Sequence, residues 1–442
     1  MYYFNRNIDN DLQQWSCEKR RKPLILRGAR QVGKTFAIRN LGKHFKYFVE
    51  INFENKDHAA AKVVFSRHSD PQLICSELAL LFGKPIVAGE TLLFLDEIQN
   101  CTDAISSLRY FYEYLPKLHV IAAGSLLEFA LEEIPSFGVG RIDSMFMHPF
   151  SFSEFLCAIG HDSWAKLIVE STPDKPVSEP IHEKIVEQLK TFLIIGGMPE
   201  VVAEFVNTRD FLRCQKILNS LLVSFRNDFA KYKKRIPAAR INEVFSSVSQ
   251  QAEGKFVYER VSQNLNNEQV KKSLELLLMA GLCHQVTHSS ADGLPLGARI
   301  NSRYRRVIPF DTGIYQRILN LDISSILLSN DFNAINKGAV AEIFVGCELK
   351  KNASCYSDEE LYCWVREKIN ATAQIDFVVQ RGETIVPVEV KSGKQGKMQS
   401  MWVFMKEKNS NYGIRTSLEN FCKYQNINVY PLYAIGNILK RN

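Results

Sequence analysis

Residues 22–43 read KPLILRGARQVGKTFAIRNLGK, and the eight from Gly28 to Thr35 decide the fold. Their spacing is G-x-x-x-x-G-K-T. A short apolar run, Leu24–Arg27, precedes them, and a helix-compatible stretch follows. At such a strand-to-helix junction the backbone N–H groups of Gly28, Ala29, Arg30, Gln31, Val32 and Gly33 wrap phosphate oxygens at a helix N-terminus. Lys34 then reaches the β- and γ-phosphates of a nucleotide, and Thr35 presents a hydroxyl to Mg²⁺. A plain glycine-rich turn would not require the strand before and the helix after.

Working outward, residues 92–97 read LLFLDE. The apolar residues predict a buried strand with Asp96 and Glu97 at its carboxyl end, the edge of an open α/β sheet where ligands bind. Asp96 is expected to hold Mg²⁺ through water and Glu97 to polarise the attacking water. Further apolar runs at 24–27, 47–53 and 119–125 alternate with helical patterns, which predicts a parallel sheet with crossover helices. Ser125, after the run VIAAG, has two readings: a polar group that orients water or senses the γ-phosphate, or the N-cap of the helix that follows. Arg141 likewise reads either as an arginine finger reaching a neighbouring subunit's phosphate, which would imply a homo-oligomer, or as a surface arginine.

The chain has 442 residues, enough for two to four domains. Charged residues make up 23% and the hydrophobic set 46%, the balance of a globular protein. A net charge of +7 is too small to imply nucleic-acid binding by itself. The ten cysteines are scattered without a Cys-x-x-Cys pair, which argues against a zinc site or a disulfide framework and for a reducing, cytoplasmic setting. The N-terminus lacks an apolar signal core, and no apolar run is long enough to cross a bilayer, so no membrane association is expected.

The stretch STPDKPVSEP (171–180) reads as a loop or boundary. From about 181 to 310 the pattern is mostly helical. Three helix-sized segments, INEVFSSVSQQ, VYERVSQNL and NEQVKKSLELLLMAGL, precede an apolar CHQVTH and a polar turn. Three helices and then a hairpin outline a winged helix. From about 330 a helix, GAVAEIFVGCELKKN, and several strands predict a small α/β unit.

The segments KPLILRGARQVGKT, LLFLDEIQN, AAGSLL, GRIDSMFMHPFSFSEFL and IIGGMPEVV, in this order, resemble the bacterial and archaeal AAA-type ATPases in which an ATPase domain is followed by a DUF4143 domain. The resemblance covers nearly the whole chain. It implies a multidomain α/β protein: an AAA+-like P-loop ATPase core at 1–155, a helical lid at 156–235, a winged-helix-like domain at 236–310 and a restriction-endonuclease-like domain at 330–442. It says little about cellular role.

Residues 385–394 read IVPVEVKSGK, a strand carrying a carboxylate and an ammonium on one face. QIDFVV (374–379) lies one short turn upstream. A hairpin centred on Gly382-Glu383 sets Asp376 opposite Glu389, and a turn one residue earlier makes them diagonal neighbours. Either register leaves Asp376, Glu389 and Lys391 on one face. Converging carboxylates hold Mg²⁺, and a nearby ammonium stabilises an oxyanion. An Asp followed one strand later by Glu-x-Lys resembles the PD-(D/E)XK nuclease superfamily, which often adds a glutamate from a preceding helix. Glu342 stands at that place. Gln374 departs from the acidic residue that related sequences often carry there. Three readings remain open: a working metal site, a retained Glu–Lys pair without cleavage, and an exposed hairpin. The basic clusters KYKKR (231–235) and RYRR (303–306) suit either DNA phosphates or a solvated face.

These residues predict an ATP- and Mg²⁺-dependent AAA+-like ATPase coupled to a nuclease-like, DNA-contacting region. The alternative is an ATP-switched DNA or protein adaptor whose nuclease-like domain is inactive.

Overall fold

The computed structural model describes residues 3–124, 140–232, 236–321, 337–367, 372–391 and 398–439. The chain divides into two units: Met1–His148 with Ser354–Asp358, and Pro149–Ala353 with Glu359–Asn442.

The first unit is built on strands β1 (Leu24–Arg27), β2 (Tyr47–Asn52), β3 (Thr91–Asp96), β4 (His119–Ala123) and β5 (Asp143–Phe146). Their order is β2-β3-β4-β1-β5, and every pair is parallel. All six residues of β3 are buried, which is why its sequence is a continuous apolar run rather than an alternating one. On one face Ile51, Leu93 and Val120 pack with Phe65, Leu78, Leu108 and Phe111 from the crossover helices. Local chemistry sets the helix limits. The helix Pro71–Phe82 starts with Asp70 accepting from Gln72 N–H and Pro71 at its first position, and stops at Gly83 with φ +62°. Because β4 lies between β1 and β3, the carboxyl ends of the phosphate-loop strand and of the Asp96 strand flank a third strand end.

The second unit opens with helices Phe152–Ala158, Asp162–Glu170, Glu179–Ile195, Pro199–Thr208 and Phe211–Asp228. The expected loop near 171–180 carries an isolated bridge, Thr172 to Lys175. Gly196, at φ +74°, ends one helix where a Cβ would lie 2.2 Å from Asp311 Oδ1. Asp311 accepts from Gly197 N–H (2.6 Å) and from Ile314 N–H (3.0 Å), so one buried carboxylate caps the helix Thr312–Ile318 and anchors the glycine pair.

Helices Ala238–Gln250 and Asn267–Met279 follow, and then strands β6 (Cys283–Ser289) and β7 (Ile300–Pro309). The predicted middle helix, VYERVSQNL, is a single 3₁₀ turn, Tyr258–Arg260. A capping box between Asn266 and Gln269 starts the next helix immediately downstream. The hairpin expected as a wing is the edge of a larger sheet, because β6 pairs in parallel with β8 (Leu361–Val365). The sheet continues with β9 (Gln374–Arg381), β10 (Thr384–Val390), β11 (Gly413–Ser417), β12 (Cys422–Tyr424) and β13 (Ile427–Pro431). Its eight strands run β12-β13-β11-β10-β9-β8-β6-β7. Regions 236–310 and 330–442 therefore share one sheet. Pairing β8 on its second side satisfies backbone groups that would otherwise form an open edge.

Candidate functional site

The phosphate-loop residues lie between β1 and the helix Lys34–Gly42. Gly28 (φ +135°) passes so close to the chain end of β5 that a Cβ would sit 2.1 Å from the Met147 carbonyl oxygen. Gln31 and Gly33 also take positive φ, 64° and 102°. The helix N-terminus has no side-chain cap at Gly33, which leaves its first N–H groups directed at the loop's concavity. Arg6 braces the turn from behind, donating to Val32 O (3.0 Å) and His148 O (2.7 Å).

Lys34 donates to Gly28 O and Ala29 O, each at 2.8 Å. Burial lowers its ammonium to about 8, against the pull of the Glu97 and Asp96 charges. Asp96 Oδ2 accepts from Thr35 Oγ1 (3.3 Å) and from Asn52 Nδ2 (3.2 Å), and Oδ1 accepts from Glu97 N–H (3.1 Å). Burial, and next the Glu97 charge, raise Asp96 to about 6. Glu97 sits in the left-handed region at φ +50°, a conformation that non-glycine residues adopt at a cost. Its Oε2 accepts from Gln99 Nε2. A hydroxyl and a buried carboxylate facing each other are oxygen donors of the kind Mg²⁺ takes, so these residues fit the ion. Arg6, Asn52 and Gln99 went unnoticed in the sequence. Asn52 was detectable in principle, as the polar end of β2, which neighbours β3.

Ser125 lies outside the described residues. Arg141 is half exposed, and its Nε pairs with Glu113 Oε1 of the same chain at 2.5 Å.

In the second unit β9 and β10 pair as Arg381 to Thr384 through Phe377 to Val388. This is the register centred on Gly382-Glu383, and one further step sets Asp376 opposite Glu389. Pro387 sits within β10 without penalty, because the pairing with β11 begins only at Val388. Asp376 and Glu389 are buried, and Gln374 is exposed. Glu342, on the helix Lys337–Asn352, joins them through an unexpected partner. Arg306 Nη1 lies 2.9 Å from Glu342 Oε2 and 3.7 Å from Asp376 Oδ1. Lys391 Nζ closes on Glu389 Oε1 at 2.6 Å. Burial raises all three carboxylates, Glu342 to about 7. Among the described residues, no group of three or more His, Cys, Asp or Glu is disposed to hold a metal ion.

Arg306 belongs to RYRR, which the sequence suggested as a phosphate-contacting cluster. Strand alternation divides it: Arg306 is buried while Arg303 is exposed, and Arg305 lies over the Tyr258 ring at 5.6 Å. KYKKR falls largely outside the described residues. No helix among the described residues is long and apolar enough to cross a membrane.

Residues 20–156 match the profile of an AAA domain, residues 186–325 a domain of unknown function (DUF8612), and residues 337–435 a domain of unknown function (DUF4143). The middle profile spans the boundary at 235/236 drawn from the sequence. Among solved structures, a Walker-type ATPase of Pyrococcus abyssi is similar over 72% of this chain and 96% of its own, at 15% identity and a TM-score of 0.47. The ORC1 protein of Aeropyrum pernix, solved in complex with DNA, is similar over 73% of this chain and 95% of its own (12% identity, TM-score 0.30). A signal transduction ATPase with numerous domains from Pyrococcus horikoshii, with a tetratricopeptide repeat sensor, is similar over 79% of this chain (10% identity, TM-score 0.30). This chain covers 46% of that protein. No curated protein matches the chain.

Proposed function

We propose that this protein binds and hydrolyses ATP with Mg²⁺, and that nucleotide state is passed to its second unit. The observation that carries this reading is the pair Lys34 and Thr35–Asp96 at the carboxyl edge of the sheet, with Glu97 one residue on. Lys34 exchanges the carbonyls of Gly28 and Ala29 for phosphate oxygens, and the helix N–H groups add to the cradle. Thr35 and Asp96 hold the metal, which neutralises charge on the phosphates. Glu97, turned out of the strand by its left-handed backbone, orients and deprotonates the attacking water. Arg141 acts across a subunit boundary once its pair with Glu113 opens, and Ser125 senses the γ-phosphate.

Two variants test this together. Lys34→Ala removes charge-assisted hydrogen bonds and is expected to weaken ATP binding by about ten- to a hundredfold or more, with the fold retained. Glu97→Gln is expected to bind ATP as the wild type does while turnover falls by about a hundredfold or more. Undiminished ATP affinity in the first variant, measured by calorimetry, would overturn the reading.

For the second unit the adaptor reading is favoured by the closed Glu389–Lys391 pair and by Arg306 among the carboxylates. In this reading the sheet is an ATP-switched platform for protein or DNA and does not cleave. Mg²⁺- or Mn²⁺-dependent cleavage of DNA or RNA that is lost in Lys391→Ala would reject it.

A further inference from the structure

The carboxylate cluster of the second unit gathers three acids from different elements: Glu342 from a helix, Asp376 from β9 and Glu389 from β10. Each is mostly or fully buried. Buried carboxylates must be neutralised by protons, by a metal or by basic side chains. Lys391 serves Glu389 at 2.6 Å. For the other two acids the basic group arrives from the far edge of the sheet, on β7.

We propose that Arg306 is the resident cation of this cluster. It stands where a divalent ion would have to sit, so the wild-type site takes no metal.

A Mg²⁺ shared by Glu342 and Asp376 needs an oxygen from each at about 2.1 Å. Arg306 Nη1 is 2.9 Å from one acid and 3.7 Å from the other, and so fills the space between them. An ion placed there would be pressed against a guanidinium of like charge. Titration cannot clear the site, because arginine keeps its proton. Nor is the side chain loosely held. It is 5% exposed, and its Cζ lies 5.3 Å from the Phe377 ring centroid. Its Nε and Nη2 have no hydrogen-bond partner, and the contact with Glu342 Oε2 is in ion-pair range without hydrogen-bond alignment. What Arg306 supplies is therefore charge more than a full set of hydrogen bonds. Asp376 Oδ2 accepts from Val390 N–H at 2.8 Å, and Glu389 Oε2 is unpartnered. The β6–β7 hairpin, paired with β8, is what delivers Arg306, so the pairing that removes a free wing also fills the site.

The test is Mn²⁺ binding to the full chain without nucleotide, followed by electron paramagnetic resonance. Wild type and Asp376→Asn are expected to bind Mn²⁺ alike. Arg306→Met is expected to gain a site with an affinity about tenfold or more above background, and Arg306→Met combined with Asp376→Asn should lose it. Arg306→Lys, which keeps the charge, should gain none. A wild-type Mn²⁺ site that Asp376→Asn removes overturns the proposal, as does a folded Arg306→Met that gains no site. Should Arg306→Met fail to fold, Arg306→Met with Glu342→Gln removes one charge of each sign and is expected to fold. A double variant as unfolded as the single one would show that charge is not the role of Arg306. Neither result bears on ATP binding, which these variants leave in place.

Discussion

Lys34 and Asp96 are both held in the wrong charge state for a protein without nucleotide. Lys34, lowered to about 8 from 10.5, contributes stability that is present above the unfolded value and lost as pH falls through the folded one. Asp96, raised to about 6 from 3.8, contributes stability that is present at low pH and lost as pH rises through about 6. Near neutrality both groups are charged at a cost that a bound metal and phosphates would remove. Asp96→Asn is therefore expected to be more stable than the wild type at pH 7 to 8, by about 1–3 kcal/mol, with hydrolysis lost. The difference should shrink below about pH 6, where the wild-type carboxyl takes its proton. Denaturant melts at several pH values measure this, and an advantage independent of pH would show that Asp96 is not strained by burial. The loop residues were legible in the sequence because the motif is local: eight consecutive residues between a strand and a helix. Arg306 was not legible, since its partners lie 36 and 70 residues further along the chain. In the sequence it looked like one of three neighbouring arginines.

Elements show the same contrast. β3 is readable from its apolar run, and the β9–β10 turn from Gly382, whose φ of +58° suits the hairpin. Pro387 fits β10 because a strand can be paired on both sides along part of its length and on one side along the rest. The fate of the hairpin β6–β7 rested on which neighbour it would meet. Close packing offers a direct test in the helix Lys337–Asn352. A Cβ at Gly346 would lie 2.3 Å from Ile308 Cδ1 and 3.2 Å from the Phe377 ring. Gly346→Ala is expected to cost about 1–3 kcal/mol through overpacking, despite the better helix propensity of alanine. Thermal unfolding measures it, and a stabilised variant would mean that this helix can shift on β7.

At the scale of the whole molecule, the proposed role of Arg141 depends on a second subunit. Mixing Arg141→Ala chains with Lys34→Ala chains is expected to restore part of the ATPase activity that each lacks alone, because some interfaces then join an intact loop to an intact arginine. Activity is read at a fixed total concentration. A wild-type protein that hydrolyses ATP normally while remaining monomeric in sedimentation would rule the role out. The pair Arg141–Glu113 adds a condition that the sequence did not suggest: the arginine must leave a partner in its own chain. By itself the sequence determined what short-range spacing encodes. That includes the phosphate loop, the strand that ends at Asp96 with Glu97 next to it, and the face shared by Asp376, Glu389 and Lys391, because backbone periodicity carries that information over a few residues. Tertiary structure alone decided that the expected wing is a sheet edge, that Asn52 bonds Asp96 and Arg6 bonds the backbone at Val32 and His148, and that an arginine stands among the C-terminal carboxylates. Those outcomes depend on which distant strands pair and which charges are buried together, and no local pattern records either.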